Sequence, residues 1–200
     1  MEQKKGAEQK KGPVILVILA AGSSLRFGGN KLLHDLDGKP MYRYLADEIA
    51  KLPAGVLAGK ILVTQYDRIG EDLGACGYEV VKNQEPELGI SHSIHLGIRQ
   101  AQRMNLKAGL CFAVCDQPYL RHESIEALIE GWRCSEKGIA CLCHQEELGN
   151  PALFSEQYVD ELQNLKGDVG GKKVMRRHMD DVLPVEVEDE MELVDIDVQL

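Results

Sequence analysis

No stretch of this sequence is apolar for long enough to cross a bilayer. The longest run, Val14 to Ala21, falls far short of the ~20 residues that a spanning helix needs. Near the basic start no small-residue cleavage site follows a full apolar segment, so no targeting signal is read and a cytoplasmic chain is expected. Positive charge is also scarce: 23 Lys and Arg stand against 32 Asp and Glu, a formal net charge of -9. That balance excludes broad nucleic-acid contact, which needs a basic face. Any phosphate chemistry must therefore rest on a few local cations and a metal. Six cysteines contain no C-x-x-C pair. Cys141-x-Cys143-His144 lacks the partner pair of a structural zinc site, so the thiols are read as free, buried and reduced.

What is present fits one domain. At 200 residues the chain can bury a substantial core without staples. Residues 1–12 hold a polar direct repeat, Glu2 to Gly6 and Glu8 to Gly12, that cannot offset its ordering entropy and reads as a disordered tail. Residues 13–200 form the domain. Val14 to Leu19 is continuously apolar and β-branched, the pattern of a central strand covered on both faces. Met41, Leu45, Ile49 and Leu52 recur at helical spacing. Further strands are expected at Lys60 to Thr64, Tyr78 to Val81, Leu110 to Cys115 and Gly138 to Cys143. Helices are expected at Ser91 to Met104 and Glu123 to Arg133. Ala152 to Phe154 is a short apolar piece, helical segments run up to His178, and Val182 to Val187 and Leu193 to Ile196 close the chain as strand-like pieces. Alternating strands and helices predict an α/β three-layer sandwich with a mainly parallel sheet.

In such sheets ligands collect at the carboxyl ends of the strands. The loop after the first strand reads Leu19-Ala-Ala-Gly22-Ser-Ser-Leu-Arg26-Phe-Gly28-Gly29-Asn-Lys31. Ala20, Ala21 and Gly22 are small enough for a base or ribose to lie against the backbone, and N–H groups from Gly22 to Ser24 can bind phosphate oxygens. Arg26 offers a planar charged fork and Lys31 a compact cation. The loop is not a Walker A motif, because Leu32 follows Lys31 and the glycines are six apart, and G-x-G-x-x-G is absent. Asp116, followed by Gln117-Pro118, ends the Leu110 to Cys115 strand and offers a carboxylate for magnesium. Asp195 and Asp197 follow the last apolar run.

The loop resembles the nucleotidyltransferase superfamily that shares L-A-A-G-x-S-x-R-x-G followed by a lysine, and within it the molybdenum cofactor cytidylyltransferases. The likeness extends over most of Ile15 to Val198. It implies a Rossmann-like nucleotidyltransferase fold with a mixed sheet, with Leu19, Ala20, Ala21, Gly22, Ser23, Arg26 and Lys31 around a triphosphate. Asp116 matches the family's magnesium-binding D-x-P aspartate. Asp197 matches its D-I-D segment, although Val198-Gln199 replace the usual Thr-Pro. Asn83, Gly89, Ser91 and Ser93 match the N and G-x-S-x-S pattern that holds base and ribose; both serines also suit capping of the following helix. Gly149-Asn150-Pro151 resembles G-H-P, with Asn150 unable to carry the histidine's proton. Gly167-Asp168-Val-Gly170-Gly-Lys172 resembles G-D-x-G-A-R, and Asp168 and Lys172 are expected on the acceptor. The resemblance implies CMP transfer from CTP to a molybdopterin-type acceptor with loss of pyrophosphate, with a molybdoenzyme apoprotein as a partner. GTP, or a sugar or isoprenoid phosphate, stays open as an alternative substrate. So does a non-catalytic carrier of the molybdenum cofactor.

Overall fold

The computed structural model describes residues 11–22, 30–104 and 107–196. Ser23, Arg26 and Asp197 therefore lie outside the described residues. The first strand, β1 (Val14–Ala20), is a buried interior strand of a seven-stranded sheet. On one side it pairs in parallel with β4 (Gly59–Thr64), which carries β5 (Glu79–Lys82) at the edge. On the other side it pairs in parallel with β6 (Gly109–Val114). Beyond β6 come β8 (Glu147–Phe154), β7 (Ile139–His144) and, at the far edge, β9 (Val182–Glu186). Only β8 runs against the other strands of this sheet. A two-strand ribbon, β2 (Asp35–Leu36) and β3 (Lys39–Pro40), turns at Asp37-Gly38, both at positive φ. This is the Asp-Gly hairpin preference.

Side chains alternate across β1. Val14, Leu16 and Ile18 face one core with α1 (Met41–Ala50), α2 (Asp67–Ala75) and α4 (His122–Cys134). Ile15 and Val17 face another with α3 (Ile90–Arg103), α5 (Val159–Gln163) and α6 (Lys172–Arg177). The α/β/α sandwich and its mixed, mostly parallel sheet are as the sequence predicts. After β5 the chain returns across β1 to start β6, and α3, which makes that crossing, lies on the face opposite α1 and α2, as right-handed crossovers require. A side chain at Gly97 would bring its Cβ to 2.4 Å from Val17, so the glycine lets α3 lie close on β1. Among the described residues, no helix is long and apolar enough to cross a membrane.

Four local expectations are corrected. Leu193 to Ile196 is not a strand: Leu193 ends a 3-10 turn, Glu190–Leu193, and the segment bonds to the loop after β6 instead of the sheet. The piece around Phe154 is the end of an eight-residue strand that includes Gly149, Asn150 and Pro151. Lys11, assigned to the tail, is held: its ammonium donates to the Trp132 carbonyl at 2.9 Å and lies over the Trp132 ring. Of the six cysteines, Cys76 and Cys134 are exposed.

Candidate active site

The ends of β1, β4 and β6 are level. Ala20 pairs with Thr64, and Leu19 with Val114, so three loops leave the sheet side by side. The reversal of strand order falls between β1 and β6, where a crevice forms outside the carboxyl ends. A cavity of about 720 Å³ opens there. Leu19, Ala21, Gly22 and Lys31 line it from the first loop, and Val114, Cys115 and Asp116 from the end of β6. Gly89, Ile90 and Ser93 contribute from the head of α3, and Asp168 from the loop before α6.

Three consecutive side chains fix the start of the first loop. Thr64 Oγ1 donates to the Ala20 carbonyl at 2.9 Å and Gln65 Nε2 to that of Ala21 at 2.9 Å. Tyr66 Oη donates to that of Gly22 at 2.7 Å. A Cβ at Gly22 would meet nothing within 4 Å, so the backbone is open there. On the loop's return, Asn30 caps a 3-10 turn, Lys31–Leu33, accepting from the Leu32 N–H at 3.1 Å. That turn aims Lys31 back across the crevice. Its Nζ lies 2.7 Å from Asp116 Oδ2, the two side chains 14% and 20% exposed. Eighty-five residues apart in sequence, they meet because β1 and β6 are neighbours.

The other carboxylate oxygen, Asp116 Oδ1, is buried and has no hydrogen-bond partner among the described residues. A buried acceptor without a donor is costly. A hard cation that prefers carboxylate oxygen would satisfy it, so the residues present fit a divalent metal at Asp116. The neighbouring Cys115 cannot serve as a thiolate: burial, and then the Asp116 charge, push its thiol far above the ordinary range.

Other predicted site residues lie around this centre in different ways. Asn83 is buried behind the cavity. Its Nδ2 donates to Ser93 Oγ at 3.0 Å, and its Oδ1 accepts from the Glu85 N–H at 2.9 Å. The serines do not cap α3: Gly89 occupies the cap position, no side chain caps the helix, and the Ser91 N–H donates to the Gly167 carbonyl at 3.2 Å. Ser93 is instead committed to Asn83. Gly89, at φ +83°, is where the two halves of the site touch: a Cβ there would lie 2.5 Å from the Gly167 backbone. That approach places Asp168 in the cavity wall. Asn83, Ser91, Asn150, Pro151 and Lys172 are not among the lining residues. Gln65, Tyr66 and Asn30, which hold the loop, carry no motif signature and were not singled out from sequence. Nor was Glu87, which lines the rim. A second cavity, of about 510 Å³, lies by Arg43 and Asp72, whose charges pair with each other.

Residues 16–182 match the MobA-like NTP transferase domain. The chain belongs to that family. Over 120 residues, 57% of this chain, it is 36% identical to the bifunctional protein GlmU of Geobacillus thermodenitrificans, but spans only 24% of that protein. It is 26% identical to the purine catabolism protein PucB of Bacillus subtilis, covering 92% of this chain and 91% of the relative. Among solved structures, a nucleotidyl transferase from Methanothermobacter superposes with a TM-score of 0.75 at 20% identity, covering 93% of this chain and 92% of the other. Rv0371c of Mycobacterium tuberculosis, solved in complex with manganese, gives 0.69 at 20% identity and 88% of each chain. Molybdopterin-guanine dinucleotide biosynthesis protein A of Archaeoglobus fulgidus gives 0.64 at 18% identity and 92% of each chain. At these identities the structures establish the shared fold.

Proposed function

We propose that this nucleotidyltransferase-family domain transfers CMP from CTP to a molybdopterin-type phosphorylated acceptor, releasing pyrophosphate. The observation that carries the reading is the Lys31–Asp116 pair at the crevice, with one carboxylate oxygen left unpartnered. Ala21 in Leu19-Ala-Ala-Gly22, and the resemblance of the loop to molybdenum cofactor cytidylyltransferases, support CTP and this acceptor.

An acceptor phosphate oxygen would attack the α-phosphorus in line, forming one P–O bond as the bond to the departing pyrophosphate breaks. The nucleophile is already ionised, so the residues must position and neutralise, not remove a proton. Leu19 to Gly22 would seat the nucleoside against a backbone already clamped by Thr64, Gln65 and Tyr66. Lys31 would exchange its contact with Asp116 for the α-phosphate, and Arg26 and Ser23 would meet the outer phosphates. Asp116 and Asp197 would hold magnesium, whose chemistry is to offset charge on the phosphate oxygens and the leaving group. Ile196 supports the second ligand: its N–H donates to the Asp116 carbonyl at 2.9 Å, one residue before Asp197. Asp168, in the cavity wall, would bond the acceptor, and Asn150, Pro151 and Lys172, which do not line the cavity, would meet only a part of the acceptor that reaches beyond it. A recipient molybdoenzyme apoprotein would take the product.

The test is pyrophosphate release with magnesium, molybdopterin and each nucleoside triphosphate in turn. CTP is expected to be preferred, and Lys31→Ala and Asp116→Ala to lower the rate by about 10²–10³-fold. A GTP preference, or turnover only with a sugar or isoprenoid phosphate, overturns the substrate assignment. Tight molybdopterin binding without turnover, indifferent to Asp116→Ala, makes the chain a carrier.

A further inference from the structure

Glu192 is the only buried carboxylate among the described residues, its side chain 3% exposed, and the reaction above makes no use of it. Taking a carboxylate out of water is costly unless its partners are well placed. Here they are. Oε2 accepts the Arg121 N–H at 3.1 Å, and Oε1 accepts Arg121 Nε at 3.2 Å and lies 3.2 Å from a terminal guanidinium nitrogen. Arg121 stands at the head of α4, five residues after Asp116. The ion pair therefore ties the last segment of the chain to the turn that carries the Asp116 carboxylate.

Two more bonds continue the seam. Gln117 Nε2 donates to the Leu193 carbonyl at 3.2 Å, and the Ile196 N–H donates to the Asp116 carbonyl at 2.9 Å. Apolar contacts close it from outside: the Leu193 side chain lies over Gly149, where a Cβ would come within 3.1 Å, and buried Ile196 packs with Met41. Residues 192–196 thus run along the 116–121 turn and are fastened at both ends. With Arg121 Nε on Oε1 and the Arg121 backbone N–H on Oε2, both carboxylate oxygens are held by one residue, which fixes register as well as proximity, as apolar packing alone does not.

We infer that Glu192 is a positioning residue for the divalent cation: by locking residues 192–196 to the Asp116 turn, it holds the end of the chain against the metal carboxylate and so sets metal affinity. The inference rests on the reading of Asp116 as a metal ligand. It is tested by titrating the metal-free protein with manganese and following the free ion by electron paramagnetic resonance. Glu192→Ala is expected to weaken manganese binding by about 10-fold or more, as for other residues that orient ligands from behind. Its metal-free thermal midpoint should stay within a few degrees of wild type, and excess manganese should restore pyrophosphate release. Arg121→Lys keeps the charge and the backbone N–H but loses the Nε–H bond to Oε1. It is expected to lose part of the affinity, and it carries the test if Glu192→Ala does not fold. Wild-type affinity in the folded variants, or lost turnover that excess manganese does not restore, overturns the inference. A wild-type protein that binds no manganese, or Asp116→Ala binding it undiminished, overturns instead the reading on which the inference stands.

Discussion

Asp181 shows how single side chains hold this chain together away from the crevice. Its carboxylate accepts from the Gly138 N–H at 2.9 Å, from Gln157 Nε2 at 3.0 Å and from the Tyr158 hydroxyl. Partial burial opposes its charge, but Tyr158, Gly138 and the nearby Lys137 outweigh it and hold the carboxyl below its ordinary value. A lowered carboxyl pKa contributes stability above the unfolded value and loses it as pH falls through the folded one. Asp181→Asn is therefore expected to cost about 1 kcal/mol at pH 7. Its deficit should shrink below about pH 3.9 as the wild-type carboxyl protonates, a difference read by urea unfolding at a series of pH values. Residues of this kind differ in how far sequence reveals them. Lys31 and Asp116 were legible because each ends a feature that sequence marks strongly, a glycine-rich loop and a buried apolar strand. Glu192 was not. It belongs to an acidic run with Glu186, Glu188, Asp189 and Glu190, and nothing in that run says which acid turns inward.

At the scale of elements, the junction of α3 with the loop before α6 is the tightest point of the site. Gly89 has φ +83°, and an added Cβ would strike the Gly167 backbone at 2.5 Å. Gly89→Ala is expected to destabilise the chain by about 2–3 kcal/mol, seen as a lower denaturant midpoint at unchanged slope. An unchanged midpoint would mean that the two segments are free to part. Most elements were legible: β1, α1, β4, α3, β6, α4 and β7 follow apolar runs or helical spacing to within a residue or two. Three departures have physical causes. The α2 helix shows only Ile69 and Leu73 as large buried apolar residues, and Gly70 and Gly74 lie against Val80, where small size matters more than propensity. The β8 strand contains Gly149 and Pro151, residues that ordinarily argue against a strand. The β7–β8 turn uses Gln145 and Glu146, both at positive φ, in place of the Asn-Gly pair that would announce it.

For the molecule as a whole, two apolar layers enclose the sheet and decide which groups can react. Burial pushes the thiol of Cys111 up to about 12 and that of Cys141 to about 11. Cys143 rises to about 12 through burial and the Glu186 carboxylate that its thiol contacts. Cys115 rises further still. At pH 8 a thiol reagent is expected to label the exposed Cys76 and Cys134 quickly. The other four should react only as fast as the chain opens, and all six in denaturant. More than two fast labels in the native protein would mean that the layers do not close as described.

Pro184 stands in the middle of β9, the outermost strand on its side, and proline offers no N–H to a neighbouring chain. The opposite border, β5, is four residues long and carries Glu79 and Lys82 at its two ends. Short, charged or donor-poor borders resist the ribbon-to-ribbon sticking by which exposed sheets recruit copies of themselves. The protein can thus leave its strand ends open to a ligand while its flanks stay closed to self-association.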